Sequence, residues 1–145
     1  MIALIQRVSE AQVRIAGTLS AAIGPGLLAL IGVRREDESH DVERLLERLL
    51  GYRLFQDAQG RMNLSLRDTG GGLLLVPQFT LAADTRKGTR AGFSGAAPPE
   101  AAAGLFALLL ERARSSYAPV CAGVFGAHMQ VALVNDGPVT FWLET

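Results

Sequence analysis

Residues 70–80 read GGGLLLVPQFT, and the apolar run inside them is the strongest indication of the fold. Leu73 to Phe79 has the length of a buried strand, and the three glycines before it favour a turn. A second continuous apolar run, Leu27 to Val33, follows the turn residues 24–26, which are Gly-Pro-Gly. These segments predict two buried strands.

Strand patterns also occupy both ends of the sequence. Met1 to Ile15 carries two short apolar stretches, which predict a pair of strands. Residues 129–134 alternate in the manner of a further strand. Residues 135–138, Asn-Asp-Gly-Pro, then predict a turn into a last strand, Val139 to Leu143.

Two segments between the strands have the periodicity of amphipathic helices. In residues 42–50 the apolar side chains recur on one face and the charged side chains lie opposite. The second helix begins at residues 98–100, Pro-Pro-Glu, and its apolar stripe runs from Ala102 to Ala113. Strands and helices together predict a single α+β domain over residues 1–145, with a mostly antiparallel, barrel-like sheet and two main helices packed on it.

The composition is typical of a folded globular protein and does not identify a partner. Hydrophobic residues make up 49% of the sequence and the formal net charge is zero, so no global basicity points to nucleic acid. Cys121 is the only cysteine, which excludes an internal disulfide and predicts a reducing, cytoplasmic location. Neither a signal peptide nor a membrane span is predicted, because the apolar stretch at residues 2–5 is short and residues 115–135 contain proline, glycine and polar breaks.

The sequence lacks the usual catalytic motifs of a hydrolase. His40 lies at a helix start among charged residues and is predicted to be solvated, and a surface or packed histidine is the favoured interpretation of His128. No nucleophile elbow, metalloprotease motif or phosphate-binding loop occurs, so neither a metal nor a cofactor is predicted. A hydrolase with this sequence has to work through positioning, backbone dipoles or a group on its substrate.

Two segments place polar residues where a cleft could form. Gln78 and Thr80 end the predicted buried strand, although the local pattern favours a loop cap and an ordinary strand residue. In residues 135–140, NDGPVT, the Asp-Gly pair favours a hairpin turn. Pro138 complicates that interpretation, because it removes an N–H from the ladder and about 5–6% of X-Pro bonds are cis.

Taken together, these segments resemble the D-aminoacyl-tRNA deacylase family along essentially the whole chain. The resemblance is most specific in residues 135–140 and also rests on the segments 1–8, 23–28, 62–65, 78–81, 83–88, 93–94, 97–99 and 126–131. It implies a homodimeric enzyme that hydrolyses the ester between a D-amino acid and tRNA, without a metal or cofactor. It also implies hydrolysis of glycyl-tRNA mischarged on tRNA(Ala), because glycine has no side chain to clash.

The resemblance implies which residues select the substrate. Gly137 and Pro138 of one subunit, joined by a cis bond, project into the pocket of the other, where their carbonyls bind the α-ammonium of the substrate. Arg7 holds those carbonyls parallel, and Met129 belongs with the substrate-binding residues. The direction left open at the substrate Cα admits a D side chain, whereas an L side chain clashes with backbone.

Gln78, Phe79 and Thr80 are the catalytic residues that the resemblance implies. The amide of Phe79 and the side chain of Thr80 lie near the scissile ester, and the 2′-OH of the terminal adenosine helps to activate water. The alternative makes Thr80 the nucleophile, which is chemically weak because the sequence shows no base beside it.

The loop that follows these residues is modestly basic. Within residues 84–90, Arg86, Lys87 and Arg90 outweigh Asp84. Salt-dependent contacts with tRNA phosphates and a plainly solvated loop are both open interpretations.

The chain departs from the family pattern at three positions. Pro77 stands where serine is usual, and a related group of deacylases that accepts L-aminoacyl-tRNA also has proline there. Ala91 and Gly92 replace a proline and a serine, which puts the stiffness of the loop in question. Two alternatives stay open: a deacylase of relaxed chirality that acts on L-aminoacyl-tRNA, and a non-catalytic nucleic-acid-binding module of the same fold.

Overall fold

Eight strands, three α-helices and one 3-10 helix form the protein in a computed structural model that describes all residues 1–145. In chain order they are β1 (Ile2–Ile15), β2 (Thr18–Ile23), β3 (Gly26–Gly32), α1 (Ser39–Gly51), β4 (Phe55–Gln56), β5 (Met62–Leu64), α2 (Leu66–Thr69), β6 (Gly72–Pro77), the 3-10 helix (Phe79–Ala82), α3 (Pro99–Ser116), β7 (Val120–Ala122) and β8 (Gln130–Glu144). No helix among them has the length and apolarity needed to cross a membrane.

Six strands form one mixed sheet around the long strand β1. Neighbours are hydrogen-bonded in the order β2-β1-β3-β6-β7, and β8 also pairs with β1. β1 is antiparallel to β2, β3 and β8, whereas β6 is parallel to both β3 and β7. The sheet curls until β2 contacts β6 and β7, which gives a nearly closed barrel.

The predicted α+β class with a barrel-like sheet and two main helices is confirmed. In the main sheet, however, every antiparallel pair includes β1, and the other two pairs are parallel. The chain passes through α1 and α2 between β3 and β6, and through α3 between β6 and β7. Crossovers of this kind bring successive strands together in parallel. The continuous apolar runs of β3 and β6 fit this arrangement, because parallel strands are buried on both faces.

Two predicted boundaries at the ends of the chain are wrong. Residues 2–15 form one long strand rather than a pair, and residues 130–144 also form one strand. The segments before and after residues 136–139 both pair with β1 instead of with each other, so the predicted hairpin does not form. The reason lies in the tertiary structure. β1 offers one continuous edge, and pairing with it satisfies the backbone hydrogen bonds of both halves of β8.

The apolar side chains divide into two clusters, one on each face of the sheet. The larger cluster lies between the sheet and the helices, where Leu45 and Leu49 of α1 and Leu109 of α3 are fully buried. The smaller cluster fills the barrel and includes Leu74 and Val76 of β6. Truncating a buried leucine such as these to alanine typically costs about 2–5 kcal/mol. Buried apolar side chains therefore support both faces of β6, the strand that ends at Pro77.

Candidate active site

A short loop protrudes from β8 opposite Arg7. Gln6 of β1 pairs with Thr140 and Val8 pairs with Asn135, so the four residues between them on β8 face a single residue of β1. The amide of Asn135 closes the base of the loop. Its oxygen accepts a hydrogen bond of 2.7 Å from the backbone N–H of Val139, and its nitrogen donates to the hydroxyl of Thr140.

Gly137 and Pro138 form the exposed tip of this loop, and the peptide bond between them is cis. Gly137 has a φ of +158°, and a Cβ on it would lie 2.6 Å from the backbone nitrogen of Val139. The loop therefore requires glycine at this position. Both residues of the tip present backbone rather than long side chains to whatever approaches them.

Arg7 anchors the loop from below. Only 7% of Arg7 is exposed, and its Nε donates a 2.8 Å hydrogen bond to the carbonyl oxygen of Asp136. Its second contact is a 2.7 Å hydrogen bond to the carbonyl oxygen of Leu54. The structure therefore brings Arg7, Gly137 and Pro138 together, but the carbonyl that Arg7 binds belongs to the residue before Gly137. That Arg7 orients the carbonyls of Gly137 and Pro138 stays a prediction.

A cleft of about 430 Å³ opens at the end of β6. Gln78, Phe79 and Met129 line it together with Pro77 and His128. Most of the lining is apolar, and His128 is its one histidine. No residue of the β8 loop and no part of Arg7 lines this cleft. Within one chain, the predicted site residues thus fall into two separate groups.

Thr80 joins the cleft group through Gln78. The side-chain nitrogen of Gln78 donates a 2.6 Å hydrogen bond to the hydroxyl of Thr80. The backbone N–H of Gln78 donates to the carbonyl of Ile31 at 2.7 Å, which extends the β3–β6 pairing to the edge of the site. The chain then turns into the 3-10 helix at Phe79, whose first amides have no partner within the helix. Amides in this position are suited to binding a developing negative charge.

Pro77 forms part of the rigid wall behind Met129. A Cβ on the buried Gly123 would lie 2.8 Å from the Met129 sulfur and 3.4 Å from Cδ of Pro77, so these residues are closely packed. The backbone N–H of Val124 also points to the Met129 sulfur at 3.4 Å. The departure from the family pattern at position 77 therefore contacts the cleft wall directly.

Backbone hydrogen bonds close the basic loop into a hairpin, and its three cations differ in whether they pair with an acidic residue. The backbones of Asp84 and Gly92 exchange two hydrogen bonds, and Arg86 grips the Asp84 carboxylate with two more of 2.9 and 2.8 Å. These hydrogen bonds from Arg86 hold the pKa of Asp84 far below its usual value. Lys87 and Arg90 make no ion pair, and both line a hollow of about 470 Å³. Of the three cations predicted to bind tRNA, Lys87 and Arg90 therefore have no acidic partner.

The sequence patterns did not indicate one residue near the cleft, Phe93, and favoured a bland interpretation of another, His128. The ring of Phe93 packs against that of Phe79 with centroids 5.3 Å apart, a contact between residues fourteen positions apart that no local pattern shows. His128, interpreted as a surface or packed histidine, is exposed on the cleft lining. His40 is solvated as predicted, with 63% of its side chain exposed.

Comparison with known proteins assigns the chain to a family. The family model described as D-Tyr-tRNA(Tyr) deacylase matches residues 4–144. The D-aminoacyl-tRNA deacylase of Thioalkalivibrio sulfidiphilus (strain HL-EbGR7) is 68% identical over 99% of this chain and 97% of its own length. The protein of the same name from Azotobacter vinelandii (strain DJ / ATCC BAA-1303) is 62% identical over 99% of both chains.

Solved structures give the same fold. One described as "c-Myc DNA Unwinding Element Binding Protein" superposes with a TM-score of 0.96 at 39% identity, covering 100% of this chain and 99% of the other. Another, described as "Structural Analysis of a probable eukaryotic D-amino acid tRNA deacylase", has a TM-score of 0.83 at 15% identity over 99% and 98% of the two chains, and supports the fold alone. With the family model spanning residues 4–144, this protein belongs to the D-Tyr-tRNA(Tyr) deacylase family.

Proposed function

We propose that this protein hydrolyses the ester between a D-amino acid and the terminal adenosine of tRNA, in active sites shared by the two subunits of a homodimer. Family membership and the names of relatives at 62–68% identity support the reaction. The proposed setting is the cytoplasm, where tRNA is charged. Glycyl-tRNA mischarged on tRNA(Ala) is a second proposed substrate.

One observation supports an active site shared between subunits: the anchored tip of the β8 loop and the cleft at the end of β6 are separate within one chain. Gly137 and Pro138 are exposed, and neither lines the cleft that contains Gln78 and Phe79. In the proposal, each subunit inserts its tip into the cleft of the other. Arg7 acts as a positioning residue, because its hydrogen bond to Asp136 sets where the tip projects.

An apolar face beside the loop supports the dimer. Leu4 of β1 pairs with Leu30 of β3 and with Trp142 of β8, and residues paired across strands lie on the same face of a sheet. Trp142 is 49% exposed. Large apolar side chains grouped in this way on a surface are typical of protein interfaces. The second copy would cover this face as its loop enters the cleft.

The chirality of the substrate is proposed to be checked by main-chain atoms alone. The carbonyls of Gly137 and Pro138 accept hydrogen bonds from the α-ammonium, and the cleft holds the ester and adenosine. Two directions at the substrate Cα are then fixed, so a D side chain points to open space and an L side chain meets backbone. Met129 belongs to the wall of this pocket.

The proposed chemistry uses a group on the substrate. The 2′-OH of the terminal adenosine helps to activate water for attack on the ester carbonyl, and the amide of Phe79 stabilises the oxyanion. The alcohol of the ribose leaves with a proton, which gives free D-amino acid and tRNA. Thr80, held by Gln78, positions the ester; its hydroxyl has no neighbouring base to make it a nucleophile. No metal or cofactor takes part in these steps.

The decisive experiment compares D- and L-tyrosyl-tRNA with the purified protein. We expect rapid release of D-tyrosine and little release of L-tyrosine over the buffer rate. Faster hydrolysis of the L ester would favour the relaxed deacylase suggested by Pro77. Hydrolysis of neither ester, with retained nucleic-acid binding, would favour the non-catalytic binding module, a candidate function that rests on the likeness to the DNA unwinding element binding protein.

A further inference from the structure

Two exposed phenylalanines, Phe79 of the cleft lining and Phe93 beside it, pack against each other. Their ring centroids are 5.3 Å apart with the planes inclined by 43°. Phe79 remains 59% exposed and Phe93 43% exposed in spite of this contact. Their mutual packing therefore leaves a large aromatic surface open to solvent, which is costly unless a ligand covers it.

The position of the pair connects two surfaces. Phe79 lines the cleft, whereas Phe93 lies between Gly92 and Ser94, which both line the hollow of the basic hairpin. The aromatic surface thus bridges the proposed ester site and the hollow. A substrate chain that leaves the cleft in this direction passes first over Phe93.

The charge on the far side of the pair is positive. Arg86 is neutralised by its two hydrogen bonds to Asp84, but Lys87 and Arg90 have no acidic partner. The paired backbones of Asp84 and Gly92 keep the hairpin closed, so the cations are held near the aromatic surface instead of on a free tail. The ligand that fits this surface has flat rings and regularly spaced negative charges.

We propose that Phe93, backed by Phe79, stacks a base of the single-stranded 3′ end of the RNA adjoining the terminal adenosine, while Lys87 and Arg90 bind its phosphates. The inference rests on the proposed function, since it follows the RNA outward from the ester. Aromatic rings beside cations bind single strands with little dependence on sequence, because every base has a flat face. A base paired in a duplex offers no such face, so the site selects the unpaired end.

The test uses two substrates that share the reacting ester. One is D-tyrosyl-adenosine and the other is the D-tyrosyl ester of the ribonucleotide ACCA. In the wild-type protein we expect the longer ester to have the lower KM by roughly 5- to 160-fold, the range that stacking of one base provides. Phe93→Ala removes most of this advantage, and Phe93→Tyr restores it because tyrosine keeps the ring.

A purely structural role for Phe93 gives a different pattern. If Phe93→Ala slows both esters equally, the ring only supports Phe79 and the proposal is wrong. If the variant dissociates into monomers in a sedimentation experiment, the pair belongs to the subunit interface, which also overturns it. If the wild-type protein hydrolyses neither ester, the proposed function fails. Stacking is then judged from binding of fluorescein-labelled ACCA without an amino acid, which Phe93→Ala must weaken.

The cations are tested separately through salt. Replacing Lys87 and Arg90 together by alanine should reduce the dependence of ACCA binding on salt concentration, by roughly one phosphate contact for each residue. Arg61→Ala is the matched control, because Arg61 is exposed on the β4–β5 hairpin, away from the hollow, and its side chain has no partner. Because the double variant removes two charges and the control removes one, an effect only twice that of the control would mean that overall charge alone matters, which contradicts the assigned phosphate contacts.

Discussion

The Nε atom of Arg7 lies 2.8 Å from the carbonyl oxygen of Asp136, the residue immediately before the Gly137–Pro138 tip. The same guanidinium donates to the carbonyl of Leu54 at 2.7 Å and is nearly buried. Losing the partner of a buried polar group costs about 1–3 kcal/mol. The contact therefore holds the protruding loop to the core of the protein.

Replacing Arg7 by alanine should abolish most of the deacylase activity while the protein stays folded and keeps the proposed dimer. The freed loop no longer projects its tip in one direction, and precise placement of reacting groups accounts for large factors in rate. Deacylation of D-tyrosyl-tRNA and sedimentation together measure the effect. Arg14→Ala is the control, because Arg14 lies on the same strand but binds only the turn carbonyl of Gly17. Near-normal turnover in Arg7→Ala would remove Arg7 from the mechanism.

Gly137→Ala should lower activity at least tenfold, roughly the loss expected when a positioning group moves by a fraction of an ångström. The new Cβ would overlap the backbone of Val139, so the tip has to shift. Gly104→Ala serves as the matched control, since Gly104 lies on the exposed face of α3 with nothing within 4 Å of a Cβ. That variant should gain about 0.5–1 kcal/mol in free energy of unfolding from helix propensity. Full activity of Gly137→Ala would argue against a role for the tip.

A tRNA that ends in 2′-deoxyadenosine should be deacylated at least 100-fold more slowly, within the range that proton-transfer catalysis contributes. The reason is the missing 2′-OH, which the proposed mechanism uses to activate water. Thr80→Val should slow the normal substrate less severely, because the proposed role of Thr80 is only to position the ester. Single-turnover rates on both substrates decide the matter. An unchanged rate on the deoxy substrate would return Thr80 to consideration as the nucleophile.

Pro77→Ser should raise the ratio of the rates on D- and L-alanyl-tRNA, by up to roughly tenfold. Serine removes the ring that packs beside Gly123 and restores an N–H at the end of β6, so the wall that includes Met129 can close more tightly. The two rates are measured under identical conditions for wild type and variant. A ratio that does not change would show that position 77 takes no part in chiral selection.

Asp41→Asn should lower the free energy of unfolding by about 0.3–1 kcal/mol near neutral pH, the typical value of a negative charge in the first turn of a helix. The hydrogen bond from the backbone of Glu38 is the main cause that lowers the pKa of Asp41 in the folded protein. Its stabilisation is therefore fully present above the pKa of a free aspartate, about 3.9, and is lost as the pH falls through the lower folded value. Urea titrations across this range should show the difference between wild type and variant shrinking. Glu36→Gln controls for the loss of a carboxylate, and a difference independent of pH would contradict the assignment.

Much of the fold can be predicted from the pattern of apolar residues along the sequence. The apolar run of β3, the amphipathic face of α1 and the proline start of α3 lie where their patterns predict them. The run of β6 does so too, except that the strand ends at Pro77 and Phe79, predicted as its last residue, begins the 3-10 helix. The helices are indicated by neighbours three or four residues away and the two strands by consecutive apolar residues, so local sequence is sufficient. The family resemblance likewise pointed to Gln78, Gly137 and Pro138, which the structure places on the cleft wall and on the protruding tip.

The pairing of distant segments followed from long-range geometry instead. The loop at residues 136–138 reads locally as a hairpin turn, yet it protrudes from one strand because the edge of β1 continues past it. The contact between Phe79 and Phe93 and the neutralisation of Arg86 by Asp84 also depend on how the hairpin folds back. Side chains that meet across a barrel or a loop carry no periodic signal, since their spacing is set by packing and not by the repeat of a strand or helix.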